Sequence, residues 1–220
     1  MKLKNKKAIV IGGSKGIGKE IQQSLKSLKI KTISCSRKEI DTSSITSVKK
    51  FYLKHKSADI LILNSGGPPP LKLGKIKISD WNKYFNQLFL GFVILLKNIK
   101  IKKNGYVFYI SSSIIKEPGD NLVISSSLRS AMSSLLKSYS IEKSKNGIST
   151  INIAPGPFKT GRVKELVKDL SSFEKNLPTK KIGDPKEIGK FVKFIVENEI
   201  KYLSGSTIFF DGNTVSYTHL

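Results

Sequence analysis

Apolar segments of two kinds alternate along the chain. Short runs rich in isoleucine, leucine and valine, such as residues 8–11 and 59–63, end in glycine, asparagine or serine, which is typical of buried strands. Between them lie longer segments whose apolar residues recur every three or four positions, which is typical of amphipathic helices. The alternation predicts an α/β fold in which helices cover both faces of a parallel sheet, as one domain over residues 1–214.

The turn after the first strand is rich in glycine. The strand ends at Gly12, and Gly16 and Gly18 follow where a helix begins. Free backbone N–H groups at a helix N-terminus, together with the helix dipole, favour a phosphate group. Glycine lets the backbone approach phosphates closely and adopt positive φ. The turn therefore predicts a nucleotide site; the alternative is a strand–loop–helix corner that binds no ligand.

Basic residues dominate the charge of the chain. Lysine and arginine number 39 against 16 acidic residues, a net charge of +23, yet only Arg37, Arg129 and Arg162 are arginines. The lysines are spread through helices and loops, whereas a nucleic-acid binder more often clusters basic residues on one face. We expect a lysine-rich solvated surface with non-specific attraction to polyanions, and no specific nucleic-acid partner.

Cysteine usage and apolar run lengths predict a cytoplasmic protein. Cys35 is the only cysteine, so no intrachain disulfide is possible. The lysine-rich start runs into the first strand without a signal-peptide apolar region. The longest apolar run, residues 88–96, is too short to cross a bilayer. No membrane association and no metal site are predicted.

The last six residues, 215–220, bear no pattern relation to the preceding strand. Their sequence, Val-Ser-Tyr-Thr-His-Leu, matches one reading frame of a common transposon sequencing adaptor. We therefore expect a non-native tail there and assign it no functional role.

Further motifs follow the glycine turn in a recognisable order. They are Asn64-Ser65-Gly66 after the strand at 59–63, Ser111-Ser112-Ser113 after 107–110, Pro155-Gly156 with Thr160 after 151–153, and Asp211-Gly212 after 208–210. This succession resembles the short-chain dehydrogenase/reductase family over residues 4–213. The resemblance implies a Rossmann-like, three-layer, doubly wound parallel sheet with a dinucleotide at the carboxyl ends of its strands.

Cofactor contacts are implied by the same resemblance, residue by residue. They are Gly12, Ser14, Lys15, Gly16, Ile17 and Gly18 around the diphosphate and adenosine, Asp41 on the adenine side, Asn64 and Gly66 beside the adenine ribose, and Pro155, Gly156 and Thr160 at the nicotinamide carboxamide. 

The end of the second strand indicates which dinucleotide is preferred. Arg37 stands where an NAD enzyme usually carries an acidic residue for the ribose 2′-hydroxyl. Together with Ser36 and Lys15 it suits a 2′-phosphate, so NADP(H) is favoured over NAD(H). The alternative is that Arg37 is a solvated charge. Only 22 positions separate Arg37 from Asp59, so the strand and helix expected between them are compressed.

The active-site pattern of the family is present only in part. The family uses a serine, a tyrosine that acts as acid, and a lysine four residues later. Ser112 fits the serine, but Ser125 stands at the tyrosine position and Arg129 at the lysine position. Leu88 stands where a supporting asparagine is expected. A serine hydroxyl is a far poorer acid than a phenol, and arginine does not exchange protons at ordinary pH.

Ser-x-x-x-Arg in place of Tyr-x-x-x-Lys resembles a divergent branch of these reductases. Gly-Gly-Pro-Pro-Pro at 66–70 and Lys116-Glu117-Pro118 belong to the same pattern, and members of the branch are similar to 3-oxoacyl-carrier-protein reductases. Lys116 and Glu117 are alternative acids or a solvated pair. Tyr-x-x-x-Lys also occurs at 139–143, where packing is the favoured interpretation, and at 52–56, in the shortened helix near the adenine side; neither is predicted to be the catalytic pair.

Two hypotheses of function follow. The first is an NADP(H)-dependent oxidoreductase acting on a carbonyl or alcohol substrate with an atypical proton relay, in which Ser112, Ser125 and Arg129 are the catalytic candidates and Arg129 also anchors the ribose. The second is a dinucleotide-binding protein without redox turnover, acting as a sensor or an oligomer partner. By resemblance, a homo-oligomer formed through helices 81–99 and 125–145 is expected.

Overall fold

A computed structural model describes residues 3–215, which form one parallel six-stranded sheet between two layers of helices. The strands are β1 (Lys7–Ile11), β2 (Lys31–Cys35), β3 (Ser57–Leu63), β4 (Lys100–Ile110), β5 (Ser149–Pro155) and β6 (Ser206–Phe210), in the order β2-β1-β3-β4-β5-β6. Every neighbouring pair is parallel. The predicted three-layer α/β fold is confirmed.

The helices of the described chain alternate with these strands. They are α1 (Gly16–Ser27), α2 (Ile45–Lys54), α3 (Ile78–Phe85), α4 (Gly91–Asn98), α5 (Val123–Lys143), α6 (Gly161–Leu166), α7 (Leu170–Asn176) and α8 (Pro185–Glu197). A π-helical segment, Asn86–Leu90, joins α3 to α4 into one continuous rod.

Two hydrophobic clusters cover the two faces of the sheet. Because side chains alternate along a strand, Ile9 of β1 faces one cluster and Val10 the other. The first cluster includes Phe92 of α4 and Met132 of α5, and the second is closed by α1 and α8. Buried strands packed on both faces explain the near-continuous apolar runs in the sequence.

The chain reverses its direction across the sheet between β1 and β3. From β1 it proceeds outward to β2, and then it crosses back to place β3 on the other side of β1. In open parallel sheets, ligands bind at such a switch point, outside the carboxyl ends of the strands. The glycine turn after β1 lies at this point.

The connection between β2 and β3 is short, as the spacing predicts. Strand β2 is the edge strand, and residues 36–44 lead from it to α2 without another strand. The backbone of Thr42 packs against Gly91, where an added Cβ would lie 2.6 Å from the Thr42 carbonyl oxygen. The connection therefore runs directly onto α4.

Two further predictions concern the ends and the apolar segments. No helix within residues 3–215 is long and apolar enough to cross a membrane, and Leu88, Phe92 and Leu95 of the longest apolar run are buried in the fold.

Val215 is buried, and its N–H donates to Asp211. Residues 216–220 of the predicted tail lie outside the described residues.

Candidate active site

The glycine turn is held together by Asn64. Its Nδ2 donates to the Gly12 carbonyl at 3.0 Å. A Cβ on Gly12 would lie 2.6 Å from the Asn64 carbonyl oxygen, and one on Gly18 would lie 2.2 Å from the Gly12 oxygen. Gly12 also has φ of +64°. Both glycines are therefore required by the packing of the turn itself, and Asn64 fixes the turn to the end of β3.

The segment after β5 reaches back to the same turn. Ser14 and Lys15 are exposed, and Gly16 has φ of +53°. A Cβ on Gly16 would come within 3.2 Å of the Thr160 methyl group. Thus Thr160, predicted at the nicotinamide end, lies against the turn predicted to hold the diphosphate. Ile17 points away and packs against the second hydrophobic cluster.

Of the other two glycines predicted to contact the cofactor, Gly156 is required by backbone packing and Gly66 is not. A Cβ on Gly156 would lie 2.8 Å from the Asp211 Cα, so Gly156 allows the loop after Pro155 to pass close to the end of β6. Gly66 is different, because a Cβ there would meet nothing within 4 Å. The space next to Gly66 is open, as a cofactor site requires.

The end of β2 lies beside the glycine turn. The Gly13 N–H donates to the Cys35 carbonyl at 2.9 Å, which places Ser36 directly next to that turn. Arg37 is exposed. The Ser36 N–H donates to the Glu39 carboxylate at 2.6 Å, and the Ser36 hydroxyl accepts from the Lys38 N–H. Ser36 therefore already has partners within its own turn.

Asp41 is held by the residue two positions on. Its carboxylate accepts from both the N–H and the hydroxyl of Ser43. Burial acts to raise the pKa of Asp41, but these hydrogen bonds and the nearby Arg37 charge lower it overall. Asp41 is therefore an ionised group on the short connection after β2, where it is predicted to contact the adenine.

Arg129 lies beneath the site and joins three elements. It is buried, and its guanidinium donates to the Ile110 and Ser111 carbonyls at the end of β4, to the Ser65 carbonyl after β3, and to the Ser125 hydroxyl on its own helix. Its hydrogen-bond partners are thus oxygens of neutral groups. Since a guanidinium has five N–H groups, at most one remains for a ligand.

The guanidinium contacts one of the two serines predicted as catalytic and the residue next to the other. Ser125 is buried in the first turn of α5 and accepts from Arg129 Nε at 3.2 Å. Ser112 directly follows Ser111, whose carbonyl binds the same side chain, and Ser112 is half-buried at the carboxyl end of β4. Arg129 therefore links Ser125 to the backbone directly before Ser112, and we refer to Ser112, Ser125 and Arg129 as one cluster.

A buried tyrosine borders the cluster. Tyr109 lies in the core near Arg129, and burial raises the pKa of its hydroxyl, while the charge of Arg129 partly opposes that rise. Because the side chain is fully buried, it is a packing residue. Tyr139, in the sequence motif at 139–143, is also a packing residue: burial raises the pKa of Tyr139 to about 12, and its ring packs against the core. Tyr52 packs against the same cluster.

Two residues that hold the loop after β3 were not anticipated from the sequence. Gln87 is buried and donates to the Ser65 hydroxyl and to the Gly66 carbonyl. Arg162 of α6 donates to the Pro68 carbonyl. The signal for Gln87 was a polar residue directly before the apolar run 88–96; Arg162 was noticeable because arginine is rare in this chain.

Leu88, next to Gln87, occupies the core position that its apolar character suggests. It packs with Ile124 and Leu128 of α5. The π-helical turn around it directs Gln87 toward the loop after β3. Lys116 and Glu117 are exposed in the turn that follows Ser113–Ile115.

The fold, the switch point and the glycine turn define a Rossmann-like dinucleotide-binding protein. The chain belongs to the short-chain dehydrogenase/reductase family: residues 13–213 match the family model described as enoyl-(acyl carrier protein) reductase.

Individual relatives match nearly the whole chain. A 3-oxoacyl-[acyl-carrier-protein] reductase of Buchnera aphidicola is 28% identical, with 96% of this chain and 98% of the relative covered. The NADPH-dependent reductase BacG of Bacillus subtilis is 25% identical, with 94% and 97% covered. L-sorbose reductase of Gluconobacter frateurii, solved with NADPH and L-sorbose, superposes with a TM-score of 0.84 at 21% identity, with 99% and 100% covered. This last likeness is one of fold.

Proposed function

We propose that the chain is an NADP(H)-dependent oxidoreductase of carbonyl or alcohol substrates that works without the tyrosine and lysine of its family. The observation that carries the proposal is the cluster of Ser112, Ser125 and Arg129 at the carboxyl edge of the sheet. Relatives named as an NADPH-dependent reductase and as 3-oxoacyl-carrier-protein reductases support the same chemistry.

The residues at the edge fit a dinucleotide. The open space at Gly66, the exposed Ser14 and Lys15 beside the glycine turn, and the exposed Arg37 would hold it. Lys15 and Arg37 supply positive charge for a 2′-phosphate. When bound, NADP(H) supplies or accepts the hydride.

The cluster can stabilise charge that develops on a substrate oxygen. Because the Ser125 oxygen accepts from the Arg129 guanidinium, its hydrogen is free to donate outward, and the neighbouring positive charge makes it a stronger donor. Ser112 offers a second hydroxyl at the same edge. Donors aimed at a forming oxyanion are worth about 10²–10³ in rate. The proton itself comes from solvent, since neither serine is acidic enough to give it up.

Turnover on a defined panel tests this proposal. Purified protein with NADPH is offered ketones, aldehydes, enones and 3-oxoacyl thioesters, and NADPH oxidation is followed. We expect turnover with at least one class and a loss of about 10² in kcat in S112A and S125A. Tight NADPH binding with no oxidation across the panel would contradict the proposal.

The second candidate is a dinucleotide-binding protein without redox turnover. It is supported by the occupation of at least four Arg129 N–H groups by oxygens of the protein itself. Activity that appears in the double variant S125Y/R129K but not in the natural chain would favour it. Either proposal includes a cytoplasmic setting and a homo-oligomer. The homo-oligomer is supported by Phe85 and Phe89 of the α3–α4 rod, which stack on each other and are partly exposed.

A further inference from the structure

The turn at the end of β2 contains a carboxylate where the proposed cofactor would bring a phosphate. The Ser36 N–H donates to Glu39 Oε2 at 2.6 Å. Hydrogen bonds from the Ser36 hydroxyl and backbone N–H lower the pKa of Glu39, so this carboxylate is ionised at neutral pH. The N–H and the hydroxyl of Ser36 thus both donate to a carboxylate of the protein itself.

The position of this carboxylate follows from the packing of the turn. Cys35 is tied to the glycine turn through the Gly13 N–H, so Ser36 lies between that turn and Arg37. Ser36 and Arg37 are the groups proposed to hold the 2′-phosphate. Glu39 therefore shares their neighbourhood and carries the same sign of charge as the phosphate.

The contacts also have a local structural meaning. Ser36 and Glu39 have the spacing of a capping box, and the Glu39 carboxylate accepts from the Ser36 N–H as in that motif, whereas the Ser36 hydroxyl accepts from the Lys38 N–H. A capping role requires an acceptor oxygen at position 39, which glutamine also supplies. An effect on the cofactor requires the negative charge. The two roles can therefore be separated by one substitution.

We propose that Glu39 lowers the selectivity of this chain for NADP(H) over NAD(H) by occupying the Ser36 donors and placing a fixed negative charge beside the 2′-position of the ribose. This inference rests on the proposed NADP(H) site. The carboxylate competes with a 2′-phosphate and is compatible with a 2′-hydroxyl, which can donate to it. Glu39 thereby weakens the preference for NADP(H) that Arg37 and Lys15 create.

Equilibrium binding to the full chain provides the test. Four probes are titrated by calorimetry: NADPH, NADH, adenosine 2′,5′-bisphosphate and 5′-AMP. In E39Q, which keeps the capping oxygen, we expect the two ligands with a 2′-phosphate to bind about tenfold more tightly and the other two to change less than about twofold. The gain is expected to shrink in high salt because the effect is electrostatic at an exposed site.

A matched control separates local charge from net charge. E142Q removes one exposed carboxylate near the end of α5, far along the chain from the glycine turn, and is expected to leave all four affinities unchanged. Equal shifts for all four probes in E39Q, or no shift for NADPH, would overturn the role of Glu39 while leaving the proposed function intact. Failure of the natural chain to bind any of the four would overturn both.

Discussion

Arg129 Nε donates a hydrogen bond of 3.2 Å to the hydroxyl of Ser125, one helical turn earlier on α5. Residues four apart on a helix face the same side, so a hydroxyl and a cation meet at the carboxyl edge of the sheet. The family places its tyrosine and lysine with the same spacing. The pair in this chain keeps a hydroxyl and a cation at this spacing, but the serine hydroxyl is not acidic enough to replace the tyrosine as a proton donor.

The first prediction concerns the stability that Arg129 confers. R129K replaces a planar fork with a single ammonium, which cannot satisfy the Ile110, Ser111 and Ser65 carbonyls together. Because buried carbonyls are left without donors, we expect the free energy of unfolding to fall by about 2–4 kcal/mol. Urea denaturation measures this change.

A matched substitution at the surface provides its control. R37K makes the same chemical change at an exposed position and should alter the free energy of unfolding by less than about 0.5 kcal/mol. An R129K protein as stable as the natural chain would show that Arg129 does not hold the strand ends together.

The second prediction separates binding from turnover at Ser125. S125A removes the hydroxyl that accepts from Arg129 and donates outward. We expect the Kd for NADPH to stay within about twofold while kcat falls by about 10², as for the loss of an oxyanion donor. S127A, an exposed serine on the same helix, serves as the control and should behave like the natural chain. Equal kcat in S125A and S127A would exclude Ser125 from the chemistry.

The third prediction uses two adjacent glycines. G66A places a methyl group in open space, so the free chain should keep its stability, yet NADPH binding should weaken because the cofactor is proposed to fill that space. G67A brings a Cβ within 3.1 Å of Arg162 Nη2 and should loosen the contact between α6 and the loop after β3. Limited proteolysis of residues 157–183 and NADPH titration distinguish the two effects.

The sequence resemblance places Gly66 at the cofactor, and the comparison of G66A with G67A tests that placement. Unaltered NADPH affinity in G66A would remove it from the site. Unaltered proteolysis in G67A would show that Arg162 does not fasten the segment after β5.

The fourth prediction concerns Cys35 and pH. Burial raises the pKa of this thiol from its ordinary value of 9.0 to about 12. The native thiol should therefore resist disulfide reagents at pH 8 and react on unfolding. Since the unfolded chain loses this proton first, Cys35 makes stability fall as pH rises from about 9 to about 12. C35A should show a shallower decline in urea titrations, and an equally steep one would contradict the assignment.

The fold was predictable because its signals are local and repeated. Apolar runs such as 59–63 and the glycines after Ile11 specify strands and the first turn without long-range information. The spacing between Arg37 and Asp59 also predicted the short connection between β2 and β3, since the chain has no room for another strand.

The interior of the site was less predictable because it depends on contacts between distant residues. The sequence placed Arg129 at the lysine position and suggested a ribose contact, whereas its N–H groups bind carbonyls 18, 19 and 64 positions away. Gln87 faces the site because a π-helical turn changes the direction of its side chain. No periodicity in the sequence announces such a turn.

Hydride transfer at the cluster of Ser112, Ser125 and Arg129 can be followed directly in a single-turnover reaction with NADPH deuterated at the reactive nicotinamide carbon, with mass spectrometry of the product. We expect deuterium to enter one carbonyl substrate of the panel with the natural chain, and this transfer to slow by about 10² in S112A. Saturated NADPH binding without deuterium in any product would contradict it.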